Sequence, residues 1–210
     1  DIWRGEKEMF DIYFFLIILI PIFIFINKGL ADYDGWRHLY FIYPSIIMIS
    51  LFGIYYLKLY LKSKLFIIIV NLVIVFNLTY LVLWNYKFHP NQYTYFNILF
   101  KNHFDNNFEK DYWGISNIQS INHIIKNAKV YPVVVATKSF TSLPSSLLML
   151  NEEDKEKISI TYNLSEAEFI MTNYRIKHKN DFFIDKNKYK KYYEITVDNV
   201  PINTVYRKIE

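Results

Sequence analysis

Hydrophobic positions along the chain follow two regimes. Between residues 10 and 84 they form nearly unbroken runs of Ile, Leu, Phe, Tyr and Val, and beyond residue 85 the runs are short and broken by Lys, Asp, Glu and Asn. The first regime holds three segments, residues 10–26, 40–61 and 65–84. Each has roughly 17–22 residues, the length at which a helix crosses a hydrocarbon core. Pro21 lies inside the first and predicts a kink, which neighbouring helices can accommodate. Pro44 falls in the first turns of the second, where it costs little. Asn71 and Asn77 lie within the third and are expected to face other helices, because an unsatisfied amide in hydrocarbon is expensive. The competing assignment, three buried helices of a soluble protein, is disfavoured by the length of segments two and three.

The second regime reads as alternating helices and strands. Ser116 is placed to cap a helix whose residues Ile118, Ile121, Ile124 and Ile125 share one face. Residues 131–136, Tyr-Pro-Val-Val-Val-Ala, predict a buried strand, and residues 144–150 a short helix with Pro144 near its start. Residues 158–162 and 169–172 predict further strands. Residues 193–197 and 200–206 flank Asp198-Asn199, a pair that tolerates the positive φ angles of a hairpin turn. The expected fold is therefore a membrane α-helical region with three transmembrane helices, residues 1–84, followed by a small α/β extracytoplasmic domain, residues 85–210.

The loops set the expected orientation. The connector between segments two and three carries Lys58, Lys62 and Lys64 without an acid, which places it in the cytoplasm by the positive-inside rule. The N-terminal end, with Arg4 and Lys7, then shares that side, and the connector near residues 27–39 and everything beyond residue 84 lie outside the inner membrane. Tyr80, Trp84, Tyr86, Trp36 and Tyr40 are the expected outer aromatic belt. The opening Asp-Ile-Trp-Arg has neither a Met nor the pattern of a signal peptide, and it reads as an interhelical loop of a longer protein.

Composition narrows the function classes. Aromatic residues make up 20% of the chain, far above a soluble domain. The formal net charge of +4 is dispersed among acids, as in Glu152-Glu153-Asp154-Lys155, so no basic face for nucleic acid is expected. There are no cysteines, which excludes disulfides and thiolate metal sites. His89, His103 and His123 lack metal-ligand spacing, and no metal or cofactor is expected. With Gly at only 5 positions, no glycine-rich phosphate loop is present.

Three clusters carry candidate chemistry. The first is Asp32-Tyr33-Asp34-Gly35-Trp36-Arg37-His38-Leu39-Tyr40, between segments one and two. The fork of donors on Arg37 suits a phosphate oxyanion, and His38 can add a donor or move a proton. The bland alternative is an interfacial loop with a snorkelling arginine. The second is His89-Pro90-Asn91-Gln92-Tyr93-Thr94-Tyr95-Phe96-Asn97, and the third is Asp111-Tyr112-Trp113-Gly114-Ile115-Ser116. Aromatic faces stack on sugar rings while Asp and Asn bind hydroxyls, so both suit sugar recognition. Read structurally, they are a docking loop and a capped helix start.

The ordered motifs Asp34-Gly35-Trp36-Arg37-His38-Leu39-Tyr40-Phe41 with Pro44, His89-Pro90 with Tyr93 and Tyr95-Phe96-Asn97, and Asp111-Tyr112-Trp113-Gly114 with Ser116 bear a likeness to known enzymes. The chain resembles the C-terminal part of bacterial GT-C-type membrane glycosyltransferases, similar to the dolichyl-phosphate-mannose–protein mannosyltransferases. The likeness extends over residues 10–210. It implies transfer of a sugar from a polyprenyl-phosphate donor to a cell-envelope acceptor, with membrane lipids as further partners. It also implies substrate contacts at Arg37, His38, Asp34, Trp36, His89, Tyr93, Asn97, Asp111 and Trp113. The family's catalytic acid lies in an early outer loop that nothing here matches, so no catalytic residue is assigned. A non-enzymatic, membrane-anchored binding or assembly protein of the cell envelope is the alternative. A transporter or channel subunit is weaker, because the segments hold no intramembrane charge pair.

Overall fold

A computed structural model describes residues 6–29, 35–61, 63–97, 109–175 and 184–209. The chain divides into two compact units, Asp1–Leu81 and Val82–Glu210.

The first unit is helical. Helix α1 spans Glu6–Lys28 and runs through Pro21 as one helix. A 3₁₀ turn at Gly35–Ile42 leads into α2, Tyr43–Tyr60, which has Pro44 in its first turn. Helix α3 spans Lys64–Lys87, so its last residues belong to the second unit. All three helices are long and apolar enough to cross a membrane. Their large apolar side chains, among them Phe23, Leu72 and Phe76, are mostly exposed; Leu39 and Ile42 of the 3₁₀ turn are buried, and so is Trp84 near the end of α3. Such a surface is unfavourable in water and favourable in hydrocarbon.

Several polar groups of this unit are satisfied within it. Ser50 Oγ donates to the Ile46 carbonyl at 2.8 Å, and Thr79 Oγ1 to the Val75 carbonyl at 2.8 Å. Between helices, Tyr56 Oη donates to Asp11 Oδ2 at 3.3 Å, and Lys58 Nζ to Asn71 Oδ1 at 2.6 Å. Asn71 thus meets a neighbouring helix, as its position in an apolar segment predicted.

The second unit is a mixed sheet with helices. Its elements are α4 (Ser116–Asn127), β1 (Val133–Thr137), α5 (Leu143–Leu147), α6 (Glu152–Glu156), β2 (Ile158–Ile160), β3 (Phe169–Thr172), β4 (Tyr189–Val197) and β5 (Val200–Lys208). The 5-stranded sheet has the order β2-β1-β3-β5-β4. Strands β1, β2 and β3 are mutually parallel, and β5 is antiparallel to both β3 and β4. Alternation of side chains across the sheet divides the core in two. Val133, Val135, Phe169, Met171 and Val205 meet Ile121, Ile124 and Ile125 of α4 on one face, and Ala136, Ile170, Ile184 and Tyr189 gather on the other. The hairpin turns at Asp198 (φ 50°) and Asn199 (φ 66°), both in the left-handed region that this residue pair favours.

Two sequence expectations are corrected. Trp84 is not a belt residue. It is buried with Ile195, Val197 and Ile202, and its indole Nε1 donates to Asp198 Oδ2 at 2.9 Å. Burying an indole in a protein core satisfies both its ring and its donor, which a lipid headgroup would otherwise do. Nor does Ser116 cap α4. The capping acceptor is Asp111, whose Oδ1 receives the Ile115 N–H at 2.9 Å and whose Oδ2 receives the Ser116 N–H at 3.0 Å. A carboxylate at a helix N-terminus also complements the helix dipole, which a hydroxyl does less well.

Candidate functional site

The second and third sequence clusters come together in the second unit. Asn91 and Gln119 form a reciprocal amide pair, with Gln119 Nε2 donating to Asn91 Oδ1 at 2.9 Å and Asn91 Nδ2 to Gln119 Oε1 at 3.3 Å. The Tyr93 hydroxyl faces the Asp111 carboxylate. Burial of that hydroxyl, then the negative charge of Asp111, push the phenol well above its usual range, so Tyr93 stays a neutral donor.

Asp111 is fully buried and lies at the centre of a polar network. Besides the two backbone N–H groups it accepts the Ser116 hydroxyl. Asn203, also fully buried, donates from Nδ2 to Ser116 Oγ and to Asn117 Oδ1, each at 2.9 Å, and accepts from Ser120 Oγ at 3.0 Å. Asn173 Nδ2 donates to the Asp111 carbonyl at 2.7 Å. Every group named here has a partner, the condition under which a buried polar network is stable. Asp111 is therefore an organiser of the site. Its carboxylate is taken up by the Ile115 and Ser116 N–H groups and the Ser116 hydroxyl.

Beside this network lies a cleft of about 360 Å³, lined by Tyr112–Ile115, residues 140–142, Ser145, Ser146, Met149 and Arg175. It sits where β1 and β3 end. The chain leaves β1 toward β2 on one side of the sheet and leaves β3 toward β4 and β5 on the other. Adjacent parallel strands whose connections diverge open a crevice at their carboxyl ends, the usual ligand position in such sheets. Hydroxyls tie the two strand ends together. Ser139 Oγ lies 3.1 Å from Thr172 Oγ1 and accepts the Asn173 N–H at 2.8 Å.

Two backbone features shape the cleft. Gly114 has φ +70°, and a Cβ there would come within 2.9 Å of Asn117 Nδ2 and 3.0 Å of Thr141 Cβ. Tyr174 holds φ 63°, a left-handed conformation that a non-glycine residue adopts at some cost. It immediately precedes Arg175. The Arg175 guanidinium lies flat on the Tyr112 ring at 3.6 Å from its centroid, donates from Nη1 to the Tyr112 carbonyl at 2.9 Å, and pairs through Nε with Glu109 at 3.2 Å. Trp113 and Phe140 are exposed at the rim.

Of the residues expected from sequence, Trp113 lines this cleft and Tyr93 and Asp111 brace it. His89 is exposed, with Nδ1 2.7 Å from Gln92 Nε2, and Asn97 is exposed at the end of its stretch. Arg37 and His38 are exposed on the 3₁₀ turn of the first unit. That unit has an apolar cavity of about 540 Å³ lined by Tyr13, Leu16, Ile17, Ile20, Pro21, Phe41 and Ser45, and neither Arg37 nor His38 reaches it. Asp32 and Asp34 lie outside the described residues, as does the side chain of Trp36. Sequence reasoning missed Arg175 and Phe140. The available signal was their position just beyond two predicted strands, which acquires meaning only once those strands are known to be neighbours.

The chain matches no protein-family model, no curated protein and no solved structure.

Proposed function

We propose that this chain is part of an integral-membrane glycosyltransferase of the GT-C type, which moves a sugar from a polyprenyl-phosphate donor to a cell-envelope acceptor. In this scheme α1–α3 cross the cytoplasmic membrane and the second unit lies outside it. The observation that carries it is the joining of two separate sequence motifs into one assembly. The Asn91–Gln119 pair and the Tyr93–Asp111–Ser116 contacts lock residues 89–97 onto the Asp111–Ser116 turn, behind a cleft rimmed by aromatic side chains. Two further observations support the membrane part. The helices display apolar side chains to their surroundings, and the α2–α3 connector bears Lys58, Lys62 and Lys64.

Arg37 is the residue assigned to the donor phosphate, with His38 assisting. Both side chains are exposed and neither lines the cavity of the first unit, so the assignment rests on the resemblance and on the chemistry of the guanidinium. A guanidinium grips a phosphate through paired charge-assisted hydrogen bonds, which lysine cannot reproduce. In membranes with matched expression of the full-length protein, Arg37→Lys is expected to lower sugar transfer about tenfold and Arg37→Ala further. Transfer at the parent rate by both variants would sink the phosphate role and leave Arg37 as an interfacial anchor.

A further inference from the structure

The cleft at the ends of β1 and β3 has a composition that selects its occupant. Its volume of about 360 Å³ lies within the range of small-molecule sites. Its rim carries two exposed aromatic side chains, Trp113 and Phe140, and its walls carry the hydroxyls of Thr141, Ser142, Ser145 and Ser146. Among the described residues its one charged lining residue is Arg175.

The guanidinium is already compensated. Glu109 pairs with Nε at 3.2 Å, and Tyr112 covers one face and occupies Nη1. Among the described residues, Nη2 has no hydrogen-bond partner. The fork therefore presents oriented donors with little net charge. Among the described residues a phosphate or carboxylate would find no uncompensated cation here, since Arg175 already faces Glu109 and no described lysine lines the cleft. A purely apolar ligand would cover the exposed Ser142 and Ser145 hydroxyls without replacing their hydrogen bonds to water. A ring with an apolar face and hydroxyls at its edge meets both demands. The C–H face lies on an aromatic side chain, while the equatorial hydroxyls meet donors that also accept.

We infer that this cleft is a binding site for a neutral saccharide, with Trp113 stacking on the ring and Arg175 and the serine and threonine hydroxyls hydrogen bonding to its edge. The inference stands on the cleft alone. It holds equally if the membrane helices transfer no sugar, and a binding readout keeps the two questions separate.

The test is ligand-observed saturation-transfer NMR on the full-length protein in a detergent without a sugar headgroup. The probes are neutral maltotriose, mannotriose and chitotriose, with glucuronate and glucose 6-phosphate as charged comparisons. At least one neutral trisaccharide is expected to bind with a Kd of about 1 mM or tighter. Trp113→Ala and Phe140→Ala alter exposed side chains outside the buried network, so both should fold, and Trp113→Ala is expected to weaken binding about fivefold to tenfold. Arg175→Lys, which keeps the charge and loses the fork, is expected to weaken it by a similar factor. Three results would overturn the inference: no neutral trisaccharide saturating at about 10 mM, tighter binding of the charged sugars, or undiminished binding by folded Trp113→Ala.

Discussion

The two units of this molecule differ in how deeply they bury their polar side chains. In the first, side chains such as Ser50 and Thr79 return their hydrogen bonds to their own helix, four residues back, and the apolar side chains are left outside. In the second, Asp111, Ser116, Asn117, Ser120, Asn173 and Asn203 are buried together and bonded across elements far apart in sequence. The contrast is the one expected if, as proposed, the first unit lies in hydrocarbon and the second in water. Where the surroundings are hydrocarbon, a polar group must be satisfied locally, because no water will repair a broken contact. Where water surrounds the unit, a buried polar network can be kept as a device that fixes one geometry.

If that contrast is right, removing a polar group should be severe in the second unit and mild in the first. The largest effect is expected for Asp111→Ala, which strands the N–H groups of Ile115 and Ser116 and the hydroxyl of Ser116. A loss of about 3–5 kcal/mol is expected in chemical denaturation of the second unit. The matching change Thr79→Val in α3 removes one local hydrogen bond and should cost under about 1 kcal/mol. Equal costs would erase the distinction between the units.

Gly114→Ala comes next. It forces a side chain onto a left-handed backbone and against Asn117 and Thr141, with an expected cost of about 2–3 kcal/mol. Trp84→Phe keeps most of the ring but loses the bond to Asp198, and about 1 kcal/mol should be lost. A residue that merely lay in a lipid interface would show no change in the unfolding of the second unit, so this variant sharpens where α3 changes surroundings.

The smallest effect concerns pH. His123 lies flat against Tyr193, with ring centroids 3.7 Å apart. Burial, and then the charge of Lys126, lower its pKa from the usual 6.5. The unfolded chain therefore takes up a proton more readily than the folded one. The stability from this site is complete above about pH 6.5 and declines as the pH falls below it. A His123→Gln variant should show a flatter stability profile between about pH 7 and pH 5. An unchanged profile would show that the stacked pair does not titrate in that window.

Much of the fold was legible because it rests on local signals. The Asp198-Asn199 turn, the isoleucine stripe of α4 and the valine run of β1 each declare themselves within a few residues. Strand order did not, since the placement of β1 between β2 and β3 depends on packing between segments far apart. The candidate site followed the same division. Trp113 and the Asp111 turn were visible as motifs. Arg175 was not, because its significance comes from a strand end, a left-handed Tyr174 and a cleft that no short window contains. The misassigned cap has the same cause. Ser116 looks like a capping residue in one dimension, and only the folded turn shows Asp111 reaching the backbone N–H groups first.

The position of β5 has a consequence for how the second unit is made. This strand lies between β3 and β4, although it follows both in the chain. It supplies Val205 to one core face and Asn203 to the polar network. A ribosome that has released everything up to residue 197 has therefore produced three parallel strands with one side open, together with a long strand that has nothing beside it to pair with. Until the last nine-residue strand emerges, β3 presents an unpaired edge of the kind that recruits other chains. The sheet is completed from its middle, so folding of this unit waits on β5 and is nearly all-or-none, and products stalled or truncated before that strand are the species most exposed to aggregation.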